Sequence, residues 1–165
     1  MTPSPLAERI VAELTRRGER VAVAESLTGG LLTSALVDVP GASAVVSGGV
    51  VAYATPLKSQ LLGVDARLLA ERGAIDAEVA RQLAAGVRER LAIDGRAADH
   101  ALATTGAAGP EPQDGQPVGT VWIGYADAAG ATAELLQLAG GRDAIRHAAV
   151  DAALALLARR LGIRE

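Results

Sequence analysis

A serine stands where a short apolar run gives way to a glycine-led helical stretch, in Glu25-Ser26-Leu27-Thr28-Gly29-Gly30. Backbone amides at a helix start have no intrahelical partner, so they can hold a developing oxyanion. Glycines there let a ligand approach the main chain. Ser26 is therefore a candidate nucleophile, with Thr28, Gly29 and Gly30 as candidate binding residues. Helix capping by Ser26 or Thr28, and a phosphate cradle, are readings of the same turn.

The composition adds a second residue. Of the sixteen basic residues, only Lys58 is a lysine; the others are all arginine. Arginine keeps its proton in a protein, whereas a lysine gives it up when its surroundings favour the neutral amine. Thr55-Pro56 reads as a cap and first helical residue, which puts Lys58 third in a short helix. The helix dipole and partial burial would both disfavour its charge. A neutral lysine can take the proton of a serine hydroxyl. A single lysine can also simply face solvent. Tyr53, five residues earlier, could support Lys58 or the substrate, or be a core residue with a wet tip.

Two more segments carry candidate ligand groups. Thr104-Thr105-Gly106-Ala107-Ala108-Gly109-Pro110 follows an apolar run, and Thr105 and Gly106 are candidate substrate-binding residues. The segment is no P-loop, because it lacks the Gly-Lys-Ser/Thr ending. Arg142 and Arg146 lie four apart at the start of the last helical stretch, so they share a face. Together they suit a phosphate. Ion pairing with Asp143 or Glu134 is the structural alternative. His100 reads as a strand residue and His147 as solvated or packing.

The elements that must place these groups follow from hydropathy period and breakers. A helix begins at Ser4-Pro5 and stops at Gly18. A buried strand covers 20–24, and a helix covers about 30–38 before Pro40-Gly41. Residues 44–53 are β-rich, with Gly48 and Gly49 marking a bulge or a close backbone approach. Helices follow at Thr55-Pro56, over 65–71 and after Asp76. A strand near 99–104 leads into a long loop from Gly106 to Gly119. Strands at 119–126 and 131–138 form a hairpin around Gly130, and a final helix runs from Gly140-Gly141 to Leu161. This order predicts one α/β domain over 1–165, a three-layer α/β/α sandwich whose mixed sheet is mostly parallel with one reversed strand.

Bulk properties narrow the chemistry. The sequence has 165 residues, half of them hydrophobic, and a formal net charge of −3. That gives no basic footprint for nucleic acid, and 2% aromatics leave little to stack bases on. The absence of cysteine removes disulfides, thiolate nucleophiles and thiolate metal sites. No clustered carboxylate or histidine spacing suggests a metal, and no cofactor is expected. No secretory signal pattern and no membrane-length apolar run occur, so a cytoplasmic protein without a membrane partner is expected. The apolar content in so small a chain makes self-association as a homo-oligomer an expectation.

Taken together, these segments resemble the CinA C-terminal domain family, also known as the nicotinamide mononucleotide (NMN) deamidase family. The resemblance runs over about 6–160. It rests on Ala24-Glu25-Ser26-Leu27-Thr28-Gly29-Gly30, Gly49-Val50-Val51-Ala52-Tyr53 leading to Lys58, Leu62-Gly63-Val64, Thr105 to Pro110, Pro117-Val118-Gly119-Thr120-Val121-Trp122, and Gly141-Arg142-Asp143. It implies a metal-free amidohydrolase that converts NMN and water to nicotinate mononucleotide and ammonia. Ser26 would attack, Lys58 would accept its proton and Tyr53 would support Lys58. Helix-start amides would hold the oxyanion, Arg142 with Arg146 would face the phosphate, and Thr105 with the following glycines would line the pocket. Ala107 and Glu111-Pro112-Gln113-Asp114 depart from the pattern, where many members have a larger aliphatic residue and a short glycine-rich stretch. Many members carry a further N-terminal domain, and its activities are not transferred to this sequence. A non-catalytic nucleotide-binding module, or a Ser–Lys amidase for another carboxamide, are the competing readings.

Overall fold

A computed structural model describes residues 3–164. The elements in chain order are α1 (Pro5–Arg17), β1 (Val21–Glu25), α2 (Leu31–Val37), β2 (Val46–Val51), α3 (Thr55–Leu62), α4 (Ala66–Arg72), α5 (Ala77–Arg90), β3 (His100–Gly106), β4 (Thr120–Asp127), β5 (Gly130–Gln137) and α6 (Arg142–Arg160). The five strands lie in the order β2-β1-β3-β4-β5. β1 pairs in parallel with β2 and β3, while β4 is antiparallel to both β3 and β5. Only β4 is thus reversed, as the hydropathy pattern predicts.

Helices cover both faces. β1 and β3 alternate their side chains between the two. Val21, Val23 and Leu102 join residues of α1, α2 and α6 in one core. Ala22, Ala24, Ala101 and Ala103 join residues of α3, α4 and α5 in the other. This second face is mostly alanine, so α5 lies close to the sheet. At Gly124 of β4, a Cβ would come within 2.1 Å of the Ala80 carbonyl oxygen. At Gly86 of α5, it would come within 1.9 Å of the Leu62 oxygen. Glycine is required at both crossings because backbone, not a movable side chain, fills the space.

The paired glycines of β2 satisfy both expectations. The register jumps from Val21↔Val46 to Ala22↔Gly48, which leaves Ser47 as the extra residue of a bulge. At Gly49, a Cβ would fall 2.0 Å from Thr33 Oγ1. One helix start differs from expectation. Ala54, not Thr55, precedes α3, so Thr55 opens the helix and Lys58 is its fourth residue. Among the described residues, no helix is long and apolar enough to cross a membrane.

The carboxyl ends of β1, β2 and β3 open at one edge of the sheet. The chain moves from β1 outward to β2 and then returns to the opposite side of β1 as β3. The connections leave β1 and β3 in different directions there, which opens the crevice where α/β sheets commonly bind ligands. Gly124→Ala should test the tight α5 crossing. It is expected to lower unfolding free energy by about 2–3 kcal/mol, read by urea denaturation.

Candidate active site

Ser26 lies one residue past the end of β1. Its amide extends the β1–β3 ladder by donating to the Thr104 carbonyl at 3.0 Å. On the other side of β1, the Ala52 amide donates to the Glu25 carbonyl at 2.9 Å. The serine is therefore fixed by the sheet rather than by a free loop.

Lys58 is only 1% exposed. Its Nζ lies 3.0 Å from Ser26 Oγ, 2.8 Å from the Ala52 carbonyl and 3.1 Å from the Tyr53 carbonyl. A neutral amine has two N–H donors and one lone pair. The two carbonyls take the donors, which leaves the lone pair to face the serine hydroxyl. Burial pushes the Lys58 ammonium down from its ordinary value to about 8, while the negative charge of Asp114 acts the other way. Desolvation by burial is thus the dominant cause here, in the direction expected from the sequence.

The turn after Ser26 is held by Glu25, a residue with no separate role in the sequence reading. Glu25 is 1% exposed, and its carboxylate reaches into the start of α2. It accepts from the amides of Gly30 and Leu32 at 3.0 Å each, from the Thr33 amide at 2.8 Å and from the Thr33 hydroxyl at 2.6 Å. A carboxylate suits the positive end of a helix. It also takes those donors away from any ligand. The Gly29 amide is spent on the Ser26 carbonyl. The amides of Leu27 and Thr28 donate to no protein group among the described residues.

Several expected binding residues are consequently turned inward. The Thr28 hydroxyl is buried and shares a hydrogen bond with that of Thr104 at 2.8 Å. Gly29 and Gly30 have φ of 60° and 103°, so they are needed for the path of the turn. Arg146 braces the turn from outside: Nε donates to the Leu27 carbonyl at 2.8 Å and Nη2 to the Thr28 carbonyl at 3.0 Å. It holds the carbonyls that follow the serine, and it does not line the cavity. Tyr53 does contact Lys58, through its main chain. Its carbonyl, not its hydroxyl, holds Lys58; the hydroxyl accepts from Arg142 Nη2 at 3.0 Å.

In front of Ser26 lies a cavity of about 280 Å³. Ser26, Tyr53, Ile75, Thr105, Gly106 and Arg142 contribute to its lining, together with Gln113 from the long loop. Thr105 is fixed by donating to the Ala74 carbonyl at 2.6 Å. Gly106 must stay small, because a Cβ there would meet the Thr120 carbonyl oxygen at 2.7 Å. Arg142 opens α6 and reaches over the cavity. Nη1 donates to the Gly109 carbonyl at 2.6 Å, and Nη2 to Tyr53. The structure therefore brings Ser26, Lys58, Tyr53, Thr105, Gly106 and Arg142 to one place. Thr28, Gly29, Gly30 and Arg146 shape that place from behind.

The expected strand position of His100 is also observed, at the far end of β3 from the cavity, where its ring contacts Tyr125 and Glu19. Ile75, Ala74 and Gln113 were not singled out from the sequence. They reach the cavity from the α4–α5 connection and from the loop, through contacts far apart in the chain. Among the described residues, no group of three or more His, Asp or Glu is placed to hold a metal ion.

Comparison with known proteins bears on the family and the fold. The model of the CinA C-terminal domain matches residues 3–161. A CinA-like protein of Frankia casuarinae is 49% identical over 152 residues, which cover 92% of this chain and 34% of that protein. One from Geobacter sulfurreducens is 48% identical over 153 residues, covering 92% of this chain and 36% of that protein. The chain thus spans about a third of the length of these relatives. Among solved structures, the competence/damage inducible protein CihA of Agrobacterium tumefaciens superposes with a TM-score of 0.89 at 36% identity, covering 98% of each chain. A CinA superfamily protein of Escherichia coli superposes with a TM-score of 0.87 at 32% identity, covering 94% of this chain and 88% of that one. With a matching domain model over nearly its whole length and the same five-stranded sandwich, the chain belongs to the CinA C-terminal domain family.

Proposed function

We propose that this protein hydrolyses the carboxamide of NMN to nicotinate mononucleotide and ammonia, with Ser26 as nucleophile and Lys58 as base. The observation that carries the reading is the buried Lys58 Nζ at 3.0 Å from Ser26 Oγ, with two main-chain carbonyls on its remaining sides. This arrangement suits an amine that works uncharged near neutral pH.

The steps follow from the contacts. Ser26 Oγ attacks the amide carbon, and its proton passes to Lys58 Nζ. The Leu27 amide, unclaimed by Glu25 and on a residue that lines the cavity, takes the oxyanion. Lys58 then gives its proton to the departing nitrogen, and ammonia leaves an acyl-serine. A water molecule attacks that ester, with Lys58 accepting its proton. Collapse of the second tetrahedral intermediate returns a proton to Ser26 and releases the carboxylate product. Arg142 is the cation that lines the cavity, so it is assigned the substrate's phosphate. Arg146 has no such role, since its guanidinium is spent on the turn.

Ammonia release from NMN by the purified protein tests the reading, and no release above background would refute it. Ser26→Ala and Lys58→Arg are each expected to lower kcat by at least about a thousandfold, in line with loss of one member of a nucleophile–base pair. Full activity in Lys58→Arg would exclude the proton-acceptor role. The rate should rise with pH through about 8, because only the uncharged amine accepts the proton. Arg142→Ala should raise KM for NMN and leave that for nicotinamide riboside nearly unchanged.

The same titration has a signature in stability. Unfolded Lys58 keeps its proton up to its ordinary value of 10.5, whereas folded Lys58 loses it above about 8. Between those values the unfolded chain binds more protons, so stability should increase with pH. The rise attributable to this residue is expected to approach about 1.4 kcal/mol per pH unit inside that window. Lys58→Met should remove it, as read by chemical denaturation at pH 8 and pH 10.

A further inference from the structure

The long loop between β3 and β4 carries Glu111-Pro112-Gln113-Asp114, and its tip is a rigid structure. The Gln113 amide donates to the Gln116 carbonyl at 3.2 Å, and the Gln116 amide to the Gln113 carbonyl at 2.8 Å. Between them, Asp114 and Gly115 have φ of 51° and 73°. This is the two-residue Asp-Gly turn with both central residues left-handed.

The tip is tied to the opposite wall of the cavity. Asp114 Oδ2 accepts from the Ala74 amide at 2.9 Å. At neighbouring Gly73, a Cβ would lie 2.7 Å from Asp114 Cβ, so the contact has no room for a side chain. The Ala74 carbonyl in turn accepts from Thr105 at 2.6 Å. The loop tip, the α4–α5 connection and the end of β3 are thereby linked, and Gln113, Ala74 and Thr105 all line the cavity.

The other polar side chains of that lining are already committed. The Ser26 hydroxyl faces Lys58, the Thr105 hydroxyl is on Ala74, and the Tyr53 hydroxyl is on Arg142. Both main-chain groups of Gln113 are spent on Gln116, so its carboxamide is what it offers to a ligand. That group donates and accepts, which suits a pair of neighbouring hydroxyls. An amide held at Ser26 and an anion held at Arg142 leave the intervening sugar to be recognised.

We propose that Gln113 is a specificity-determining residue that reads the sugar hydroxyls of the substrate, and that Asp114 is the positioning residue that fixes it against Ala74. The proposal rests on the deamidase reading for the identity of the substrate. A nucleotide lacking those hydroxyls loses the contact, so Gln113 separates ribonucleotide amides from smaller or deoxygenated ones.

The experiment measures binding by calorimetry in a Ser26→Ala background, with NMN and its 2′,3′-dideoxy analogue as probes, and wild-type turnover of NMN in parallel. Gln113→Ala is expected to weaken NMN binding about three- to tenfold, the range of one or two neutral hydrogen bonds, and to leave the analogue's affinity unchanged. Asp114→Ala should reproduce that loss. Asp114→Asn keeps an oxygen for the Ala74 amide and should restore affinity. In the otherwise wild-type enzyme, Asp114→Asn should also move the acidic limb of the rate profile to lower pH, because a charge that favours protonated Lys58 is gone. Equal loss for both probes, or no loss in Gln113→Ala, overturns the proposal. NMN turnover with no Gln113 effect leaves the deamidase reading standing, whereas Gln113-dependent binding without turnover leaves the proposal standing and removes the reaction. Neither binding nor turnover of NMN removes both.

Discussion

A lysine amine enclosed by protein and set against a serine hydroxyl is the constraint that the rest of the structure serves. Moving an ammonium out of water is expensive, and a side chain so placed tends to neutralise instead. Lys58 has two main-chain carbonyls and one hydroxyl around its nitrogen, with no carboxylate among its hydrogen-bond partners. A paired carboxylate would have stabilised the charged form. Carbonyl dipoles orient the amine without providing a full counter-charge. Three elements must meet for this: the end of β1 supplies the serine, the chain just after β2 supplies the carbonyls, and α3 supplies the lysine. The short path from Val51 to Thr55 turns the chain back so that Lys58 meets carbonyls only five and six residues upstream.

The second constraint is electrostatic and lies at the start of α2. An open helix N-terminus would attract a phosphate or another anion. Here Glu25 fills it from inside the fold with four accepted hydrogen bonds. The anion-binding capacity of that helix is therefore satisfied by the protein, and the serine turn becomes a stiff support. An anion in the cavity would have to be met from elsewhere, and Arg142 at the start of α6 is the arginine that lines the cavity. Arg146, one turn further along the same helix, does a different job by gripping the carbonyls of Leu27 and Thr28. Two arginines of matching face are thus divided between cavity wall and scaffold by which acceptors lie within reach.

That division explains what could be read from the chain itself. The sandwich and the reversed strand follow from period and breakers; Ser26 and Lys58 stand out by position and by one conspicuous residue choice, and their pairing is what the family resemblance implies. Arg146 does not, because its partners are carbonyls 118 and 119 residues away, and carbonyls are common to every residue. The same reason hides the part of Tyr53 that matters: its main chain, rather than its ring, touches Lys58. Glu25 was visible within the serine motif, but its capping role depends on α2 folding back across the end of β1. Asp114-Gly115 is different, since that dipeptide signals a tight turn in the sequence. What the sequence withheld was the direction of the turn, which is set by the Ala74 amide.

These contacts divide the site into two mechanical classes. The serine and the lysine are fixed by the sheet, by the β2–α3 connection and by a buried carboxylate, so displacing either one disturbs the core. The cavity wall opposite them comes from a loop tip attached by one side-chain hydrogen bond and a glycine contact. Substitutions at that tip can reshape the cavity without moving Ser26 or Lys58, although the charge of Asp114 there also bears on Lys58. The separation follows from the parallel arrangement of β2, β1 and β3. Their carboxyl ends converge on one edge, and the connections leaving that edge are free to differ in length and sequence. A sheet edge of this kind can hold one reaction constant while its loops select among substrates. Residues 111–114 lie in the connection from β3 to β4, where the sequence can change at little cost to the sheet.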